Sequence, residues 1–202
     1  MTNQPGDADD SEASDDSRWN SIADLDAYDE QWKKIERRGG NPHGEADFVS
    51  RFSPASVLDA GCGSGRITIE LATRGCDVVG VDLDGPFIES AKQKAPELDF
   101  RLADLSTLAL DRTFDVIVMA GNVMIFLAPG TEAETIARSA AHLNPGGRLI
   151  AGFQLGRVLS VDDYEQAAAA AGLIADEHWS TWELDPASAD DNYAVLVHRA
   201  PE

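Results

Sequence analysis

Cysteine is nearly missing from this sequence: only Cys62 and Cys76 occur among 202 residues, in neither a CxxC pair nor a Cys/His cluster with zinc spacing. That excludes a disulfide scaffold and a thiolate metal centre, and leaves two reduced thiols. Long apolar runs are missing as well. No stretch approaches the roughly 18 residues that a membrane-spanning helix requires, so no segment is expected to cross a bilayer. The opening segment MTNQPGDADDSEASDDS has no basic region ahead of an apolar one, which argues against a secretory signal or a transit peptide and for the cytoplasm. Basic residues are scarce: 16 Lys and Arg face 36 Asp and Glu, for a formal charge of -20. A polyanion is attracted mainly by cationic side chains that displace its counterions. Neither nucleic acid nor an anionic membrane surface is therefore an expected partner.

What is present is an ordinary globular composition, 43% hydrophobic and 26% charged, over a length that suits one domain. Residues 1–17 hold six acids, no base and few apolar groups, too little to repay ordering; they are expected to be a disordered acidic tail. The domain is then 18–202, with N-terminal helices in 18–53 and a core in 54–202. Ile22, Leu25, Tyr28, Trp32 and Ile35 recur at helical spacing before Arg37-Arg38-Gly39-Gly40, predicting an amphipathic helix over 20–38. A second short helix is expected after Asn41-Pro42, ending before Ser53-Pro54. From there strand-like and helix-like segments alternate. Strands are expected at 56–60, 77–82, 100–103, 114–120 and 148–153, and helices at 66–74, 85–94, 130–143 and 161–171. Continuous apolar strands such as Val116-Ile117-Val118-Met119, separated by helices, indicate a parallel sheet covered on both faces. The fold class is α/β, doubly wound. Two strand-like runs without an intervening helix, 173–184 and 192–199, suit an antiparallel pair at the end of the sheet.

In such sheets ligands bind beyond the carboxyl ends of the strands, and the first loop there is informative. Val57-Leu58-Asp59 runs into Ala60-Gly61-Cys62-Gly63-Ser64-Gly65 and then a helix, placing backbone without side chains where a ligand approaches closely. A dinucleotide fingerprint would need glycine where Arg66 stands. About 20 residues on, Asp82 closes the second strand and can accept hydrogen bonds from two ribose hydroxyls.

In these residues the sequence resembles the class I S-adenosylmethionine-dependent methyltransferases. The matching segments are VLDAGCGSGR at 57–66, VVGVDLD at 78–84, ADL at 103–105, FDVIVMAGNV at 114–123 and LNPGGRLI at 143–150, in the family's order and spacing. The resemblance implies a Rossmann-like, seven-stranded, mainly parallel sheet with an antiparallel terminal strand pair and an N-terminal helical lid. It implies S-adenosyl-L-methionine as cofactor. It also implies that Asp59, Gly61, Cys62, Gly63 and Arg66 form the loop cradling the amino acid portion, that Asp82 holds the ribose, and that Leu83 flanks the adenine. Asp104 and Leu105 would meet the exocyclic amine, and Ala120, Gly121 and Asn122 would line the far wall. The cofactor has no phosphates, so Arg66 costs such a site nothing, whereas it would crowd a dinucleotide. Its sulfonium and ammonium suit an acidic pocket. Blander readings stand beside these: Asp59 as a turn carboxylate, Asp104 as a helix cap, and Asn122 as a residue that orients a loop.

The acceptor is expected to be a small molecule. Tyr28, Trp32, His43, Met124, Phe126, Gln154 and Arg157 are the side chains in family-like positions for it, with His43 a general base, a partner of the cofactor carboxylate or an exposed loop histidine. His142, His178 and His198 read as structural. Two alternatives are a nicotinamide-dependent oxidoreductase on the same fold and a non-catalytic protein that binds S-adenosylmethionine.

Overall fold

The computed structural model describes residues 25–202, with side chains from residue 29 onward. The acidic segment 1–17, the expected start of the first helix and the Tyr28 side chain lie outside the described residues. Helix α1 (Leu25–Arg37) ends in Lys34 and Arg37, cations that complement the carbonyl end of a helix. Helix α2 (Gly44–Ser50) opens with Glu45 and Asp47 and buries Ala46, Phe48 and Val49.

Then come β1 (Ser56–Ala60), α3 (Arg66–Thr73), β2 (Asp77–Asp82), α4 (Gly85–Lys94), β3 (Asp99–Leu102), a 3-10 turn (Leu105–Thr107) and β4 (Phe114–Met119). The chain continues through α5 (Val123–Phe126), α6 (Glu132–Ala141), β5 (Leu143–Gln154), α7 (Val161–Ala170), β6 (Ile174–Trp179) and β7 (Tyr193–Arg199). The seven strands are ordered β3-β2-β1-β4-β5-β7-β6. Pairings among β1 to β5 are parallel, and β7 runs antiparallel to both β5 and β6.

Strand order reverses between β1 and β4, and the crevice at such a switch point is where open α/β sheets take ligands. One face of the sheet packs Ile136 of α6 and Tyr164 and Ala168 of α7 against Leu58, Met119 and Phe153. The other packs α2 and α3 through Phe48, Val49, Ile67 and Leu71 against Val57, Val116 and Ile150. Each such buried side chain stabilises the fold by roughly 1.5–3 kcal/mol relative to exposure, so the sheet is a rigid frame for its loops.

Beyond shifts of one to two residues at element ends, two boundaries and one helix depart from the sequence reading. Strand β5 starts at Leu143 rather than at 148. Phe114 pairs with Leu143 and Val116 with Arg148, so the intervening residues, with Gly146 at φ +71°, are looped out inside the strand. The run expected to extend to 184 is a strand only to Trp179; Leu184 lies in the left-handed region at φ +69°, and Thr181 Oγ1 accepts from the N–H of Glu183, turning the chain away. Helix α5, a single turn after β4, had no counterpart in the sequence reading.

Candidate functional site

The loop between β1 and α3 is built from glycines in the left-handed region: Gly61 at φ +83°, Gly63 at +53° and Gly65 at +86°. The N–H groups of Gly61 and Cys62 both donate to the carbonyl of Val81, which seats the loop beside the end of β2. Gly61 has a second duty. A Cβ there would stand 2.3 Å from a methyl carbon of Val123, so glycine lets α5 close over the loop.

Asp59, one residue before the end of β1, and Asp82, the last residue of β2, lie at the same end of neighbouring strands. Asp59 is fully buried and accepts from Thr68 Oγ1 at 2.7 Å. Burial pushes its carboxyl up to about 6, against the pull of Thr68 and of the charge on Arg66 and with a further push from Asp82. Asp82 accepts from the N–H of Gly63 at 2.7 Å and from the N–H of Asp84 at 2.9 Å, one on each oxygen. Its carboxyl is also raised, by burial above all, with Asp84 adding repulsion. Each carboxylate oxygen can accept more than one bond, so Asp82 retains capacity for a ligand. The Cys62 thiol, buried beneath the loop, is pushed well above its ordinary value by burial and by these two carboxylates, which leaves it unreactive.

Leu83 is 40% exposed beside Asp82, an apolar surface offered to solvent at the strand end. The N–H of Ala103 donates to the Asp82 carbonyl, bringing the next turn alongside. There Asp104 caps the 3-10 turn, accepting from the N–H and the hydroxyl of Ser106 at 2.8 Å each, while Leu105 is buried. After β4, Ala120 is buried and Gly121 has φ +69°, with open space where a side chain would be. Asn122, at φ +70°, accepts from the N–H of Gln154 at 2.7 Å and so ties the end of β4 to the end of β5. The local duties of Asp104 and Asn122 are those of the blander readings. They do not use up the polar atoms of either residue.

Arg66 turns away from the loop toward the helices. Its guanidinium bonds both oxygens of Glu45 at 2.7 and 2.9 Å, bonds the Pro42 carbonyl, and lies 3.5 Å over the Trp32 ring. Asp29 of α1 accepts from Ser64 Oγ at 2.5 Å and from Lys94 Nζ at 2.6 Å. Helix α1 thus lies over the glycine loop, anchored to the loop itself and to α4.

A model of the methyltransferase domain matches residues 57–147, the span that carries this geometry. The solved structure of a TehB-like S-adenosylmethionine-dependent methyltransferase from Corynebacterium glutamicum aligns with 88% of this chain and 98% of its own, at 35% identity and a TM-score of 0.81. The chain belongs to the S-adenosylmethionine-dependent methyltransferases. A magnesium-protoporphyrin O-methyltransferase of Rhodobacter capsulatus is 35% identical over 118 residues, 53% of this methyltransferase and 52% of the relative. The chain spans about half the length of the curated relatives it matches. An S-adenosylmethionine-bound amino pentose methyltransferase from Micromonospora echinaspora, at 20% identity and a TM-score of 0.69 over 84% of this chain and 96% of its own, shares the fold. The nicotinamide alternative finds no counterpart among these relatives.

The donor set of this methyltransferase fits that cofactor. Two desolvated carboxylates whose charged forms are disfavoured by burial gain from a cationic ligand, and the ligand's sulfonium and ammonium supply that charge. Of the side chains expected near an acceptor, Met124 is core and Phe126 packs against the core. His43 faces Glu70 on α3 at 3.8 Å. His142 accepts from the N–H of Leu110 with Nε2, so its Nδ1 donates to the Arg138 carbonyl. His198 is buried against Tyr164, and His178 is exposed on β6. The sequence reading missed Trp182 and Glu183, which the connection between β6 and β7 folds back toward α2 and β5, and Tyr193 at the start of β7 beside them. The signal available for them was an aromatic pair flanking an acid-rich, turn-forming stretch, which strand propensity concealed.

Proposed function

We propose that this methyltransferase transfers a methyl group to a small-molecule acceptor by in-line displacement. The observation that carries the reading is the convergence, at the switch point, of the glycine loop with the buried carboxylate of Asp59 and the half-buried one of Asp82, neither of which has an ion-pair partner among the described residues. When bound, S-adenosylmethionine supplies an electrophilic methyl group. In this reading Asp59, Gly61, Cys62, Gly63 and Arg66 form the cradle for the amino acid portion, the last through its place at the head of α3. Asp82 accepts from the ribose, Leu83 covers one face of the adenine, and Asp104 with Leu105 borders its edge. Ala120, Gly121 and Asn122 form the wall opposite.

Displacement at a sulfonium needs alignment and exclusion of water rather than a covalent nucleophile. Alignment comes from the rigid strand ends, and α1 with Trp32 supplies the roof. A small acceptor is supported by the space over the sheet edge, where the cavity beside Trp182 and Tyr193 measures about 310 Å³, the low end for a ligand site. The net charge of -20 disfavours nucleic acid and anionic membranes as acceptors. The cytoplasm is the proposed compartment, in keeping with Cys62 and Cys76 standing as free thiols.

The test is turnover. The full chain is incubated with S-adenosylmethionine and a panel of amines, phenols, thiols and carboxylates, and S-adenosylhomocysteine is quantified. Acceptor-dependent formation of that product is expected. None with any acceptor, despite tight cofactor binding, would favour a non-catalytic binding protein.

A further inference from the structure

The segment between β6 and β7 lines an open groove of its own. The Trp182 ring stands edge-on to Phe48 of α2, with centroids 5.4 Å apart, and its indole N–H donates to the Tyr193 phenol oxygen at 3.1 Å. Both rings lie over Gly152 of β5. A Cβ at that position would be 2.3 Å from the indole and 2.7 Å from the phenol oxygen, so only glycine admits the pair. The Glu183 carboxylate reaches toward Gly44, where a Cβ would be 3.1 Å from Oε1. Between these groups and Asp191 is the cavity of about 310 Å³.

Its charge is of one sign. No Lys or Arg occurs between Arg157 and Arg199. The cation whose charge acts on Tyr193, Arg66, is bound to Glu45 by two hydrogen bonds. Asp191 accepts from the N–H of Ser188 at 2.6 Å, a contact that leaves its charge in place. The cavity also adjoins the proposed methyl-transfer site. Tyr193 pairs with Gln154 at the end of β5, and the N–H of Gln154 is held by Asn122 on the far wall.

We infer that this cavity is the acceptor subsite, and that it selects a small acceptor bearing an organic cation, such as a protonated amine, held by the faces of Trp182 and Tyr193 and the carboxylates of Glu183 and Asp191. Aromatic faces attract cations through their quadrupole, most strongly when desolvated, and the two acids add countercharge. The cation is an anchor. The atom that receives the methyl group is a separate one carrying a free lone pair. The inference rests on the methyl-transfer reading for the role of the site.

Calorimetric titration of the full chain tests it. S-adenosylhomocysteine is titrated first, and the saturated protein then receives tyramine, 4-ethylphenol or 4-hydroxyphenylacetate, probes of one ring size that are cationic, neutral and anionic. Tyramine should bind about tenfold more tightly than 4-ethylphenol, and 4-hydroxyphenylacetate more weakly than either. Glu183→Gln should cut the tyramine preference by about threefold or more without changing the affinity for S-adenosylhomocysteine. Equal affinity for the three probes, no binding of any, or an undiminished preference in Glu183→Gln would overturn the cation subsite alone. Failure of S-adenosylhomocysteine to bind in the first titration would overturn the methyl-transfer reading and the subsite with it.

Discussion

Asp59 is costly to the fold. Its carboxyl is held at about 6 in the folded chain against an ordinary 3.8, so the folded state holds on to a proton that the unfolded chain has already released. The penalty is therefore absent below about pH 4, grows as pH rises to about 6, and stands at roughly 3 kcal/mol above that. Asp59→Asn keeps an acceptor for Thr68 Oγ1 and removes the charge. In the ligand-free protein this variant should melt several degrees above wild type at neutral pH and no higher near pH 4, as thermal scans at the two pH values would show. Its affinity for S-adenosylhomocysteine should fall, because the cationic amino group loses its countercharge. A variant that is neither more stable at neutral pH nor weaker in binding would mean that Asp59 is an ordinary turn carboxylate. A buried acid kept at this cost is the usual trade of stability for function at a ligand site.

At the scale of elements, α1 and α5 bracket the glycine loop from two sides. Gly61→Ala forces a side chain into the left-handed region and against Val123, and should destabilise the protein by about 2 kcal/mol or more. Adding Val123→Ala should recover the part due to the clash and leave the part due to backbone strain, a coupling that a double-mutant cycle in denaturant would resolve. Helix α1 is tied down by the ion pair of Asp29 with Lys94, by the Asp29–Ser64 bond and by the Trp32–Arg66 stack. The Asp29–Lys94 pair is partly exposed and contributes little, and most described side chains of α1 are exposed, which places the helix at the low-stability end of the molecule. Amide exchange across residues 25–37 should slow when S-adenosylhomocysteine binds. Maximal protection without ligand would make α1 ordinary packing instead of a closing roof.

The same elements show what could be read from the sequence. The β1–α3 loop was legible because left-handed glycines and a strand-end carboxylate leave a fixed spacing, and the alternation that built the parallel sheet was legible from apolar runs. Helix α5 was not, since four residues are too few to display a helical period. The bulge inside β5 was hidden because Asn144-Pro145-Gly146-Gly147 reads as a turn that ends an element, while the pairing of Leu143 with Phe114 is fixed only by the tertiary fold. The aromatic and β-rich stretch after Trp179 suits a strand, and the bonds of Thr181 that turn it aside are decided locally by one side chain. The acceptor-side residues lay in that stretch, so they went unread.

Over the whole molecule, the acidic surface and the acidic strand ends act in the same direction. A net charge of -20 lowers the electrostatic cost of bringing a cationic ligand to a desolvated carboxylate and raises it for any polyanion. The sheet fixes where that field is used: β1 and β2, in register from Ser56 with Asp77 to Ala60 with Val81, deliver Asp59 and Asp82 to one end. The most direct measurement is the equilibrium titration of S-adenosylhomocysteine into the full chain and into Asp82→Ala. The wild-type protein should bind one ligand per chain, and the folded variant should bind at least about tenfold more weakly, a loss of about 1.4 kcal/mol or more. Equal affinity in the folded variant, or no binding by the wild type, would contradict the assignment of this site.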